Sequence, residues 1–299
     1  MGAGAVGAYF GARLQQAGEQ VVFCARGENL RALRQNGLEV KSHQGDFRLK
    51  VRATGEPREF APYELILFCV KSYDTEAAAR GLEGCLNAGG AILTLQNGIE
   101  SEARLCAIFG KDAVLGGNAR VGAELVGPAS LVHRTGGFIQ FGELHGRDTD
   151  RVRRIAEMFH RAGILGELTM HLAAIRWEKL LWNAAFNSVT GLARSTVGAV
   201  IGDAEGAALV RALMREIVAV AQAEGIPLGA DQVEAQMARS QAHLRNVRTS
   251  THQDSERGKP LEFEALSGAV VRAAQRHGIE VPYMRTVHAL MKLLDRCRK

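Results

Sequence analysis

Through the first half of the chain, short apolar runs rich in branched residues alternate with amphipathic stretches, the pattern of βαβ units around a mostly parallel sheet. Residues 20–24, 65–70 and 91–95 read as strands, and 65–70 is apolar on both faces, as a buried central strand should be. Residues 38–41 and 47–51 flank Gln44-Gly45-Asp46 and predict a small hairpin. Residues 129–132 and 138–141, on either side of 134–137, predict an edge hairpin that closes the sheet. After Asp150 helical periodicity takes over and strand signals disappear. Helices are expected over 150–161, 171–192, 202–224, 232–246, 255–277 and 284–296, with Gly225-Ile226-Pro227 and the stretch from Gly278 to Pro282 as stops. The outline is an α/β domain over residues 1–168 followed by an all-α domain over 169–299, without internal repeats or low-complexity segments.

The chain opens Met1-Gly2-Ala3-Gly4-Ala5-Val6-Gly7, which matches G-x-G-x-x-G and runs into a helical pattern over 8–16. In a dinucleotide site the first glycine makes a tight turn and the second lets backbone approach the pyrophosphate. The third allows close helix packing, so the phosphates meet the positive helix end. Arg26 follows the strand at 20–24, where an NAD site usually carries an acid; an arginine there suits a 2′-phosphate and points to NADP(H). The alternatives are a chance match in a Gly/Ala-rich stretch and a solvated loop cation. Only Met1 precedes the motif, so the first central strand of the sheet is missing, which would leave two unpaired edges in the core. The expectation is a natural start a few residues upstream, checked by intact mass of the native protein.

Within the helix at 171–192, Lys179, Asn183 and Asn187 stand at i, i+4 and i+8 on one face of a largely apolar segment. A solvent-facing stripe is the plain reading. Asparagine, however, is a poor helix former that both donates and accepts hydrogen bonds, so the alignment also fits a ligand site. A desolvated lysine can act as the general acid that ketone reduction requires.

Composition narrows the classes without naming one. In 299 residues, 46% are apolar and 23% charged, which excludes disorder, collagen and coiled coil. Lys plus Arg exceed Asp plus Glu by 37 − 32 = 5, suited to small anionic ligands and too weak to argue for nucleic acid. The basic clusters at 151–154 and 296–299 lack interleaved aromatics and read as solvated faces. No apolar run approaches the roughly 18 residues of a membrane span. Five cysteines without C-x-x-C spacing predict reduced thiols and a soluble, cytoplasmic protein. Nine histidines show no metal-ligand spacing.

These motifs in order resemble the ketopantoate reductase family, the NADPH-dependent 2-dehydropantoate 2-reductases. The resemblance rests on Gly2 to Gly7, Ala25-Arg26-Gly27, Cys69-Val70-Lys71-Ser72, Gln96-Asn97-Gly98, the Lys179/Asn183/Asn187 helix, and Ser250-x-x-Gln253-Asp254 followed by Glu262. It implies a Rossmann-type N-terminal domain and a helical C-terminal domain like that of 6-phosphogluconate dehydrogenase. It further implies that Gly2, Ala3, Gly4, Ala5, Val6, Gly7, Arg26 and Lys71 hold NADPH, with Ala123 a further cofactor contact. Asn97 would lie by nicotinamide and substrate, and Lys179 would donate the proton. Asn183, Asn187 and Ser250 would hold a 2-oxo acid, and Glu262 would contact cofactor or lysine. Read without the family, Lys71 is a strand-end charge, Asn97-Gly98 a turn, Ser250 a helix N-cap and Glu262 a solvated helix residue. Where some members place a substrate-contacting asparagine beyond the Lys/Asn helix, this chain has Val197. A related β-hydroxyacid or polyol-phosphate dehydrogenase and a non-catalytic NADPH-sensing module remain alternatives. A homodimer is the assembly allowed for, with a small 2-oxo acid as the expected partner.

Overall fold

A computed structural model describes residues 1–297. The chain forms two compact units, one of residues 1–96 and 101–172, the other of 97–100 and 173–299.

The first unit runs α1 (Ala5–Gln16), β1 (Val22–Cys24), α2 (Gly27–Asn36), β2 (Leu38–Ser42), β3 (Phe47–Leu49), β4 (Arg52–Thr54), β5 (Tyr63–Phe68), α3 (Thr75–Arg80) and β6 (Leu86–Thr94). It continues with α4 (Ser101–Phe109), β7 (Val114–Gly127), β8 (Ser130–Glu143), α5 (Asp150–Arg161) and β9 (Leu165–Leu168). Six strands lie in the order β3-β2-β8-β7-β6-β5 with β9 on β8, while β1 and β4 form a separate parallel pair. Residues 1–3 run between the two pieces. The N–H groups of Gly2 and Ala3 donate to the carbonyl of Cys24 at 3.1 and 2.9 Å, and Cys69 N–H donates to the Met1 carbonyl at 2.9 Å. The sheet is thus divided at the place where the glycine motif stands, joined there by the few hydrogen bonds of residues 1–3 instead of a strand.

Ile92 and Leu93 are both fully buried and belong to different cores, one on each face of the sheet, as a strand with period-two side chains and two covered faces requires. Helix α1 packs closely because Gly11 faces Phe23: a Cβ there would lie 2.7 Å from the ring.

Several expectations need correction. Residues 129–132 and 138–141 are not a hairpin at the edge. Residues 130–132 and 138–141 belong to the single strand β8, with Ala129 in the turn before it, and β8 pairs antiparallel with β7 and parallel with β2 and β9 in the middle of the sheet. The sheet is accordingly mixed. Strand β7 escaped notice because Gly116, Gly117 and Gly122 interrupt any apolar alternation. A strand, β9, also follows Asp150.

The second unit is helical: α6 (Leu172–Ala193), α7 (Val197–Gly202), α8 (Ala204–Ala223), α9 (Ala230–His243), α10 (Ser250–Glu256), α11 (Ser267–Arg276) and α12 (Pro282–Arg296). The expected helix at 255–277 is two helices, α10 and α11, because Gly258 at φ +66° and Pro260 stop the first. The expected helix at 202–224 is preceded by the short α7. Asp203 then caps α8, its side chain accepting from Gly206 N–H at 2.7 Å. The core gathers Leu181, Phe186, Val210, Leu213, Ile217, Val270 and Met284, all fully buried. The basic cluster at 296–299 extends beyond the described residues.

Candidate active site

In the first unit the glycine loop is built by exclusion. Gly2 takes φ +88°, and a Cβ there would lie 2.8 Å from Val70 N and 2.9 Å from the Cys69 carbonyl carbon, so the turn is pressed onto the end of β5. A Cβ on Gly7 would run into the Gly2 carbonyl oxygen. Around Gly4 nothing lies within 4 Å of a Cβ, so its backbone is open to approach. Gly4 stands at the N-cap of α1 and offers no side chain to the first-turn amides of Ala5, Val6 and Gly7. Those N–H groups have no intrahelical acceptor and point, with the positive helix end, where a phosphate would bind. The donor set and the open side at Gly4 fit a dinucleotide.

Ala3 is buried, and its carbonyl accepts from Asn29 Nδ2 at 2.9 Å; Asn29 Oδ1 in turn accepts from Ala129 N–H at 2.8 Å. A carbonyl only accepts and an N–H only donates, so the Asn29 amide has one orientation, tying the loop to the turn between β7 and β8. Arg26 is the N-cap residue of α2, with its side chain 79% exposed and ion-paired to Asp74. Lys71 is half-buried and opens the single 3₁₀ turn Ser72–Asp74 after β5. Ala123 is half-buried in β7, opposite His133, and packs on the core beneath α1.

In the second unit, four-residue spacing advances each polar side chain of α6 by about 6 Å along the axis. Lys179 and Asn183 are half-buried, and Asn187 is 3% exposed, on a helix whose Leu181, Ala184 and Phe186 are fully buried. The stripe therefore does not lie in open solvent. The Oδ1 of Asn187 is buried without a hydrogen-bond partner. Leaving a buried acceptor unmade costs about 1–3 kcal/mol, which a ligand hydroxyl would recover.

Asn97 is half-buried, and its neighbour Gly98 joins two elements. The Arg176 guanidinium of α6 donates to the Gly98 carbonyl from Nε at 3.2 Å and Nη2 at 2.5 Å. Gly98 takes φ +93°, and a Cβ there would run into the Ala265 carbonyl oxygen, in the 3₁₀ turn Phe263–Ala265 that follows Glu262. Glu262 is 7% exposed, so it is not a solvated helix residue. Asn97, the polar face of α6 and Glu262 thus share one neighbourhood. Ser250 is exposed at the first position of α10, and the N-cap is Thr249, not Ser250. The Thr249 hydroxyl meets that of Thr190 at 2.8 Å, three residues past Asn187, which places the start of α10 at that end of α6.

Two residues escaped the sequence reading. Burial pulls Arg176 down to about 9, still a cation at neutral pH. Its signal was a cation set inside an apolar helix, three residues before Lys179. Asn118 on β7 is 2% exposed with neither amide atom partnered. It lies two residues past Gly116, which pairs with Thr94 at the carboxyl end of β6, the end of an open α/β sheet where ligands bind.

A family model described as ketopantoate reductase PanE/ApbA matches residues 1–146, and its C-terminal counterpart matches 171–295. The chain belongs to the ketopantoate reductase family, oxidoreductases acting on CH–OH groups. It is 34% identical over 270 residues to a 2-dehydropantoate 2-reductase of Halobacterium salinarum, covering 90% of this chain and 88% of the relative. A crystal structure of 2-dehydropantoate 2-reductase from Geobacter metallireducens GS-15 superposes with a TM-score of 0.93 at 33% identity, covering 98% of each chain. The ternary structure of D-mandelate dehydrogenase with NADH and anilino(oxo)acetate shares the fold, with a TM-score of 0.93 at 19% identity over 99% of this chain and 97% of that one.

Proposed function

We propose that the protein reduces 2-dehydropantoate (ketopantoate) to pantoate with NADPH, the reduction that serves pantothenate synthesis, and that Lys179 donates the proton. The observation that carries this reading is the polar face of α6: a half-buried lysine one turn from Asn183 and two turns from the unpartnered Oδ1 of Asn187. The 2-dehydropantoate 2-reductases among its relatives supply the substrate class.

In this reading residues 1–168 hold the cofactor and 169–299 the substrate. The amides of Gly2 to Gly7 take the pyrophosphate, Arg26 the 2′-phosphate, and Lys71 and Ala123 further parts of the dinucleotide. When bound, the cofactor supplies a hydride from C4 of its nicotinamide to the C2 carbonyl carbon. The Lys179 ammonium hydrogen-bonds the carbonyl oxygen, stabilises the charge developing there and transfers its proton, leaving a neutral amine and a 2-hydroxy acid. Asn183, Asn187 and Ser250 hold the acid, with Asn187 Oδ1 accepting from a substrate hydroxyl. Asn97 lies by the nicotinamide and the substrate, and Glu262 contacts the cofactor or Lys179. The reaction belongs in the cytoplasm, where the five free cysteines stay reduced.

One observation favours a second reading. Val197, at the position where some family members carry a substrate-contacting asparagine, is fully buried in the helical core and offers the substrate nothing polar. That suits a related 2-oxo acid. NADPH oxidation followed spectrophotometrically with ketopantoate beside a panel of 2-oxo and 3-oxo acids separates the two. Selective turnover of ketopantoate is expected, faster turnover of another acid would establish the second reading, and NADPH binding without any turnover would contradict both.

A further inference from the structure

Asp74 stands at the N-cap of α3, a position where aspartate ordinarily bonds its own helix and stabilises it by about 1 kcal/mol. Its side chain makes no such bond. It turns instead to Arg26 and closes an ion pair across 48 residues of sequence. The backbone of Asp74 is held in place, its N–H donating to the Lys71 carbonyl at 2.9 Å within the 3₁₀ turn. The carboxylate is therefore fixed beside the one guanidinium that the proposed function assigns to the 2′-phosphate.

We propose that Asp74 sets the balance between the two nicotinamide dinucleotides by competing with the 2′-phosphate for Arg26. The proposal rests on the reading of Arg26 as the phosphate ligand. Two opposed effects decide its sign. Asp74 orients Arg26 in advance, which helps any anion that follows. Against this, a 2′-phosphate carries a charge of about −1.5 to −2 and must share or displace the carboxylate, so two anions crowd one cation. Arg26 is 79% exposed, so solvent weakens both effects; the repulsion prevails because it acts on the nearly doubled charge of the phosphate, whereas the orienting benefit is that of one exposed pair. NADH brings only a neutral hydroxyl, which a carboxylate accepts as a hydrogen-bond donor. Asp74 thus narrows the preference for NADPH that Arg26 creates.

The test is direct titration of NADPH and NADH, by nucleotide fluorescence, on the full chain and on Asp74→Asn and Arg26→Ala. Asn keeps the shape of Asp and one acceptor oxygen, while it removes the charge and replaces the other oxygen by an NH2 donor. For Asp74→Asn the NADPH Kd is expected to fall about threefold to tenfold, with an unchanged or higher NADH Kd, and the gain should shrink as salt is added. A rise in the NADPH Kd would overturn the proposal and make Asp74 a residue that positions Arg26. Equal shifts for both nucleotides would also overturn it. Arg26→Ala distinguishes the failures: selective loss of NADPH with a flat Asp74→Asn result refutes the proposal alone. Equal weakening of both nucleotides by Arg26→Ala removes the phosphate reading and the proposal with it.

Discussion

The two units assemble their halves of the proposed chemistry from different materials. In the first, the glycine loop presents backbone, and its specificity comes from what is missing: a Cβ at Gly2 or Gly7 collides, and only at Gly4 is there room. In the second, α6 presents side chains, and their places depend on buried anchors, Arg176 on the Gly98 carbonyl and Thr190 on Thr249. A site made of backbone is lost by adding atoms, whereas one made of side chains is lost by removing them.

Substitutions can break that contrast. Lys179→Ala is expected to lower kcat about a hundredfold to ten-thousandfold while leaving the NADPH Kd unchanged. A parallel loss of NADPH binding would show that the halves are not separable. Next in size, Gly7→Ala drives a Cβ into the Gly2 carbonyl and should cost about 1–3 kcal/mol of stability together with NADPH binding. Gly4→Ala meets no atom, so it should unfold at the same temperature as the parent and weaken NADPH about tenfold or less. Equal melting temperatures for the two alanine variants would refute the exclusion argument.

Arg176→Met sharpens the contrast on the helical side. It removes the charge-assisted bonds to Gly98, so the keto acid KM should rise several-fold and stability fall by about 2–3 kcal/mol, read in kinetics and urea titration. The smallest effect is a shared dependence on pH. Burial lowers the pKa of His133 in the first unit and of His288 in the second. Below pH 6.5 the unfolded chain takes up protons that these folded histidines refuse. Stability is therefore fully present above 6.5 and declines as pH falls towards the folded values. For His133, held between Ser42 Oγ at 2.9 Å and the Gly136 carbonyl at 3.2 Å beside His43 and Arg13, a His133→Gln variant should show a shallower decline in thermal melts.

What could be read from sequence followed the strength of the local signal. Helix α5 was found at its observed bounds because Val152, Ile155 and Phe159 keep helical period against charged neighbours. The turn at Gln44-Gly45-Asp46 gave the β2–β3 hairpin, which pairs antiparallel as expected. Strand β7 was invisible because its glycines carry no pattern, and its pairing with β8 is decided by register between distant segments. The stop at Gly258 and Pro260 was legible and was overridden by the apolar periodicity around it. At the candidate site, residue types and spacing were readable on α6. Burial was not: the depth of Asn187 and Glu262, the anchoring of Asn97 through Arg176, and the Asp74 partner of Arg26 all depend on segments far apart in the chain.

The most direct measurement follows the hydride itself. Ketopantoate is incubated with the protein and NADPH carrying deuterium at either C4 position, and the product is examined by mass spectrometry. The account predicts pantoate with deuterium at C2 from one of the two labelled forms and unlabelled pantoate from the other. No pantoate, or pantoate without label from both forms, would contradict it.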